Sequence, residues 1–191
     1  IGDPSGTCRR RIASRQGRGL AHRCYQPAFQ WARRWCHSVN ASLPLVTLVL
    51  GGARSGKSRY AEQLVEGQGK GLYLATAEPM DDEMRARIAK HQARRGDIWE
   101  TIEEPRELVA VLTRESRPDR PILVDCLTLW LSYVMFHDIS AEGELQKLMD
   151  LLQSDALRGP VVFVSNEIGL GVIPDNEVSR IFVDAQGELN Q

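Results

Sequence analysis

Leu45-Val46-Thr47-Leu48-Val49-Leu50-Gly51-Gly52-Ala53-Arg54-Ser55-Gly56-Lys57-Ser58 is the stretch that decides the fold. Its second half satisfies G-x-x-x-x-G-K-[ST]. Its first half is the apolar strand that feeds such a loop, and Ser58 to Val65 reads as the helix that leaves it. The glycines let the backbone curl so that successive N–H groups converge on phosphate oxygens. The N-terminus of the following helix adds partial positive charge. In that arrangement Lys57 reaches the β- and γ-phosphates and the Ser58 hydroxyl holds Mg2+. A glycine turn that matches by chance is the bland alternative, and the strand and helix on either side argue against it. The stretch predicts a nucleoside triphosphate site.

Outward from the loop, apolar runs alternate with helix-like segments. Gly67 to Gly71 is a turn, and Leu72 to Thr76 a short strand. Pro79 and the acidic pair Asp81-Asp82 open a helix to about Arg94, with acid at its start and arginine at its end as the macrodipole favours. Ile98 to Ile102 alternates like a strand, and Pro105, at a first helical position, starts a helix ending near Ser116. Pro121 to Cys126 is a buried strand. Leu127–Phe136 and Ala141–Leu157 read as helices, Pro160 to Ser165 as a strand, Asn166–Pro174 as a loop, and Asp175 as a helix start. Near-continuous apolar strands separated by helices imply an α/β domain whose parallel sheet is covered on both faces. Its ligand crevice lies at the strand ends. The last segment, Asp175 to Gln191, is a helix with no strand after it, so a truncated C-terminus and a missing sheet edge are expected.

Charge divides the chain. Residues 1–44 hold eight arginines (Arg9, Arg10, Arg11, Arg15, Arg18, Arg23, Arg33, Arg34) and one acid, Asp3, a net +7, whereas residues 45–191 carry −8. Two such pieces do not share one folding logic. Residues 1–44 therefore read as an Arg-rich extension, disordered and of upstream or vector origin; an arm that touches nucleic acid is the sharper alternative. The overall charge of −1 offers no electrostatic reason for nucleic acid or a membrane surface. No apolar stretch reaches the ~20 residues of a bilayer span. Cys8, Cys24, Cys36 and Cys126 show neither C-x-x-C nor Cys/His ligand spacing, so a zinc site is not expected. Without a disulfide framework, the expected setting is cytoplasmic.

Three further positions carry chemistry. Asp125 closes the strand Ile122–Val124, where a carboxylate beside the phosphate loop holds Mg2+ directly or through water. His91 follows Met84 and Ile88 at helical spacing, on one apolar face. It is either a packed core histidine or a nucleophile, since a neutral imidazole can attack the α-phosphorus of a nucleotide and form a phosphoramidate. Lys90, Arg94 and Arg95 either offset triphosphate charge there or form a solvated helix face. Glu167 leaves the last strand with Asn166, ahead of Gly169 and Gly171, as a general base or as an ordinary surface turn. Glu103 and Glu104 precede Pro105 and can be read as helix-start acids.

With these pieces in order, the chain resembles the bifunctional adenosylcobinamide kinase/adenosylcobinamide-phosphate guanylyltransferase family of cobalamin biosynthesis. The resemblance is carried by Gly51 to Arg59, Ala75-Thr76, Asp81-Asp82-Glu83-Met84, Arg87-Ile88 and His91. Trp99 with Thr101 and Glu103, Asp125-Cys126-Leu127-Thr128, and Ser165 to Gly171 complete it, in order from about residue 45 to 191. It implies a RecA-like P-loop domain, oligomeric and typically trimeric. It implies transfer of the γ-phosphoryl group of ATP or GTP to adenosylcobinamide, then of GMP from GTP to the resulting phosphate through a guanylylated histidine. On the family's pattern the histidine is His91. The nucleotide contacts fall on Gly51, Gly52, Ala53, Arg54, Ser55, Gly56, Lys57 and Ser58, on Thr76, Ala77 and Glu78, on Gln92, Ala93, Arg94 and Arg95, and on Glu103 and Asp125. Residues 1–44 have no counterpart in the family. Two other readings stay open on the residues alone: a plain small-molecule kinase with a packed His91, and a non-catalytic nucleotide-binding module.

Overall fold

The computed structural model describes residues 42–79, 81–93 and 96–191; the side chains of Glu83, Met84, Arg87, Lys90 and His91 are not among those described. The expectations for residues 1–41, for Arg94 and Arg95, and for the face on which Met84 and His91 lie fall outside the described residues.

Strands and helices alternate as β1 (Val46–Gly51), α1 (Lys57–Glu66), β2 (Gly71–Ala75), α2 (Asp82–Gln92), β3 (Trp99–Glu103), α3 (Leu108–Glu115) and β4 (Ile122–Asp125). Two helices in succession, α4 (Leu127–Phe136) and α5 (Ala141–Gln153), then lead to β5 (Val161–Asn166) and α6 (Glu177–Asn190). The five strands form one sheet in the order β1-β5-β4-β2-β3, and every pairing is parallel. The expected α/β architecture is therefore present. β1, which carries the glycine loop, and β4, which ends in Asp125, lie one strand apart with β5 between them.

Alternation along the strands sends side chains into two cores. Leu72, Leu74, Ile122, Val124, Val161 and Phe163 pack with α3, α4 and α5, and with Phe182, Ala185 and Leu189 of α6. Tyr73, Leu123, Val162, Val164 and Val49 pack on the opposite face with Ala61 and Val65 of α1. Trp130, fully buried in the first core, donates its indole N–H to the Arg106 carbonyl at 3.1 Å, as a buried indole must find an acceptor.

Four departures from the sequence reading have local causes. α3 begins at Leu108 rather than at Pro105, because the Glu104 carboxylate accepts the N–H groups of Arg106 and Glu107 at 2.9 and 3.0 Å and folds a turn there first. α5 stops at Gln153, four residues short of Leu157. There the Ser154 hydroxyl donates to the Leu151 carbonyl and accepts the Ala156 N–H, which closes the helix and turns Leu157 into the core. α6 starts at Glu177, with Asn176 as its cap through the Ser179 N–H. Lastly, burial on both faces holds for β2, β4 and β5 and not for β1. Its residues Val46, Leu48 and Leu50, in register with Val161, Phe163 and Ser165, are 39%, 41% and 45% exposed. β1 is an edge strand, and α6, the last helix on that side, leans on α4 and α5.

Candidate active site

The loop between β1 and α1 has the backbone its sequence calls for. Arg54 and Gly56 both adopt the left-handed conformation, at φ 57° and 91°, which turns successive peptide N–H groups to one side. A side chain at Gly51 would sit 2.8 Å from the Ser55 hydroxyl, which would have to turn aside to admit it. No side chain caps α1, and its first-turn N–H groups are left for an anion. Lys57 lies back across the loop, donating to the Gly52 carbonyl at 3.1 Å.

The sheet's last row brings the other groups to the same edge. Glu103 of β3, Ala75 of β2 and Asp125 of β4 are register partners across the three strands. Ser58 Oγ donates to Asp125 Oδ1 at 3.2 Å, joining α1 to the end of β4 across 67 residues of sequence. Tyr73, two residues before the end of β2, donates its phenol to Asp125 Oδ2 at 2.5 Å. One carboxylate is thus held from both sides. Beyond it, Thr76 is fully buried, and its hydroxyl is committed to Cys126: it donates to the Cys126 carbonyl at 2.7 Å and accepts the Cys126 N–H at 2.8 Å. Burial and then the Asp125 carboxylate push the Cys126 thiol up from 9.0 to about 11, so it is a neutral, inert group of the core.

These elements enclose a cavity of about 290 Å³. Lys57, Ser58 and Asp125 line it, together with Gln92 of α2 and Glu103 of β3, whose side chains are hydrogen-bonded at 2.7 Å. Ala75, Ala77, Ile88 and Leu129 supply apolar wall. Gln92 and Glu103 also line a second, neighbouring hollow with Trp99 and Thr101.

The remaining expected contacts are placed as follows. Ala77 is on the cavity wall. Glu78 turns its carboxylate to His137 Nε2 at 3.3 Å, on a ring stacked against Tyr133. Ala93 is exposed at the end of α2, and His91 lies in the last turn of that helix. Glu103 and Glu104, read alike from sequence, part company: Glu104 caps a turn while Glu103 faces the cavity. Glu167 closes its own turn through the Gly169 N–H at 2.7 Å, and its backbone N–H donates to the Gly51 carbonyl.

Sequence reasoning missed two polar residues of the cavity. Tyr73 carried a signal, being the one side chain with a polar tip in the buried run Leu72 to Ala75, where a phenol needs a partner. Arg85, which lines the cavity while bonding Asp82 and the Pro79 carbonyl, had none, because only the fold brings it there; Asn166, read with Glu167 as a polar pair leaving the strand end, does line the cavity, and its N–H donates to Thr128 Oγ1.

As a donor set, one serine hydroxyl and one carboxylate suit Mg2+, which takes one or two protein oxygens and completes its shell with water and phosphate. Among the described residues no group of three or more His, Cys, Asp or Glu side chains could hold a metal ion by itself. None of the described helices is long and apolar enough to cross a membrane.

Residues 47–191 match the family described as cobinamide kinase / cobinamide phosphate guanyltransferase. The bifunctional adenosylcobalamin biosynthesis protein CobP of Pseudomonas aeruginosa is 49% identical over 147 residues, which are 75% of this chain and 84% of that protein. The bifunctional adenosylcobalamin biosynthesis protein CobU of Salmonella typhimurium is 38% identical over 160 residues, and that of Escherichia coli 33% over 162; each alignment covers 77% of this chain and 88% of the relative. With its phosphate loop, strand-end carboxylate and shared cavity in one register, this chain belongs to the cobinamide kinase / cobinamide phosphate guanyltransferase family.

Proposed function

We propose that this protein phosphorylates adenosylcobinamide with ATP or GTP and then transfers GMP from GTP to the product, giving adenosyl-GDP-cobinamide. The observation that carries the reading is the cavity at the sheet's edge. It is lined by Lys57, Ser58 and Asp125 and equally by Gln92, the neighbour of His91 on α2.

In the first reaction the loop N–H groups and Lys57 bind and orient the triphosphate. The aminopropanol hydroxyl of the corrinoid bonds to the γ-phosphorus as the bond to the β,γ-bridging oxygen breaks, and the hydroxyl proton passes to solvent or a base. Ser58 and Asp125 would hold Mg2+, which when bound neutralises charge on the β- and γ-phosphate oxygens. In the second reaction a His91 ring nitrogen bonds to the α-phosphorus of GTP and pyrophosphate leaves. A phosphate oxygen of adenosylcobinamide phosphate then displaces the imidazole. Gly51, Gly52, Ala53, Arg54, Ser55, Gly56, Thr76, Ala77, Glu78, Ala93, Arg94, Arg95 and Glu103 complete the nucleotide contacts in this reading. Thr76 acts by holding the Cys126 peptide rather than through a free hydroxyl. The catalytic domain is residues 45–191, with residues 1–44 as an extension outside it, and the working protein is a cytoplasmic homotrimer.

The test is covalent labelling. Incubation with [α-32P]GTP should give a protein-bound, acid-labile label that His91→Ala abolishes, while phosphorylation of adenosylcobinamide by ATP persists in that variant. Tight GTP binding with no label would remove the transferase half of the proposal.

A further inference from the structure

Tyr73 is a tyrosine where packing alone would be served by phenylalanine. It is only 2% exposed, its ring meets Trp99 edge-to-face at 5.6 Å between centroids, and it shares its side of the sheet with Leu123 and Val162. The one feature that distinguishes it from phenylalanine, the phenolic O–H, donates to Asp125 Oδ2 at 2.5 Å. The register explains the reach. β2 and β4 are paired with Tyr73 beside Leu123 and Ala75 beside Asp125, so a long side chain running forward from Tyr73 ends at the carboxylate two residues on.

We propose that Tyr73 is a positioning residue for the divalent cation that accompanies the nucleotide. Its phenol fixes the rotation of the Asp125 carboxylate so that Oδ1 is presented to Ser58 and the cavity. The inference rests on the reading of Ser58 and Asp125 as the Mg2+ pair. An aspartate carboxylate can turn about its last bond, and here one oxygen faces Ser58 while the other faces Tyr73. A donor fixed in the sheet removes that freedom before the cation arrives. A carboxylate has about four lone-pair sites, and the two described bonds, one to each oxygen, leave capacity on both for a cation or its waters. Hydrogen bonds of this kind behind metal-binding side chains raise affinity by about 10- to 100-fold. Tyr73 also lines the cavity, so ring and phenol have separable duties: the ring is wall, the phenol is orientation.

The experiment measures binding of a fluorescent GTP analogue to the full chain as Mg2+ is titrated, and again in EDTA, for wild type, Tyr73→Phe, Asp125→Asn and the double variant. Tyr73→Phe keeps the ring and its packing on Trp99; unchanged tryptophan fluorescence verifies the fold, and a modest fall in melting in EDTA reports only the lost hydrogen bond. The expected result is a rise of about tenfold or more in the Mg2+ needed for half-saturation, with affinity in EDTA within a factor of two of wild type. Tyr73→Phe should add nothing further in the Asp125→Asn background, since the phenol acts through that carboxylate. An unchanged Mg2+ curve overturns the proposal, as does an equal loss of affinity with and without Mg2+, which would make the phenol a packing or nucleotide contact. If wild-type affinity is indifferent to Mg2+, the Ser58–Asp125 reading itself falls, and the positioning role with it; loss of the His91 label leaves this test untouched.

Discussion

Thr76→Val removes one oxygen and leaves the outline of the side chain almost intact, which makes it a clean probe of the sheet edge behind the site. In the wild type the hydroxyl serves both polar groups of Cys126. After the substitution the Cys126 carbonyl keeps the Trp130 N–H at 3.1 Å, but the Cys126 N–H, on a residue 6% exposed, loses the oxygen it bonds. A buried donor left without a partner costs about 1–3 kcal/mol. Taking about 2 kcal/mol, and about 2–4 °C per kcal/mol for a domain of this size, the melting midpoint should fall by about 4–8 °C. Thr76→Ser keeps the hydroxyl and gives up one methyl, about 0.8 kcal/mol of burial, and should melt between the two. The assay is thermal unfolding in EDTA without nucleotide, so that binding does not mask the difference. A valine variant that melts with the wild type, or a serine variant that melts below it, would refute the placement of this hydroxyl. Because Cys126 follows Asp125, the valine variant should also need more Mg2+ for GTP binding, and the serine variant should not.

Replacing Lys57 with methionine should slow both phosphoryl and guanylyl transfer by about 100- to 1,000-fold, the usual effect of deleting one charge-stabilising donor. Initial rates with ATP and with GTP measure it, and turnover within tenfold of wild type would exclude Lys57 from the chemistry. Cys126 makes an alkaline prediction. Its folded pKa of about 11 lies above the ordinary 9.0, so the folded state favours the protonated thiol. That contribution is complete below the unfolded value and lost as pH rises through the folded one. Stability should therefore decline between about pH 9 and 11, and Cys126→Ala should flatten that decline in denaturant titrations. At pH 8 the native thiol should also resist alkylation, as mass mapping of its peptide would show; rapid modification there would contradict its burial.

How legible each part was depended on the range of the interactions behind it. The phosphate loop was readable because its chemistry is local: a glycine for the positive φ at Gly56, a lysine and a serine at fixed offsets. Strands β2, β4 and β5 were readable because sandwiched strands are continuous apolar runs, and Asp125 stood out as a charge ending one of them. Helix ends were less so, since Glu104, Ser154 and Asn176 stop or start helices through single side-chain bonds that sequence patterns do not rank. The assignment of Glu103 and Glu104 shows the limit most directly. Two adjacent glutamates look alike in sequence, and strand alternation with the Gln92 bond sends only one of them to the cavity.

What the sequence determined by itself is the triphosphate loop, the alternating α/β order, and the family, because glycine spacing and apolar periodicity act between near neighbours. The tertiary structure decided everything that depends on strands meeting out of order. The arrangement β1-β5-β4-β2-β3 carries Asp125 to Ser58 and Tyr73 to Asp125, and leaves one face of β1 open. The physical reason is that strand pairing links residues from 28 positions apart, as Gly71 and Trp99, to 115, as Val46 and Val161, and no local pattern encodes which of several apolar strands will lie side by side.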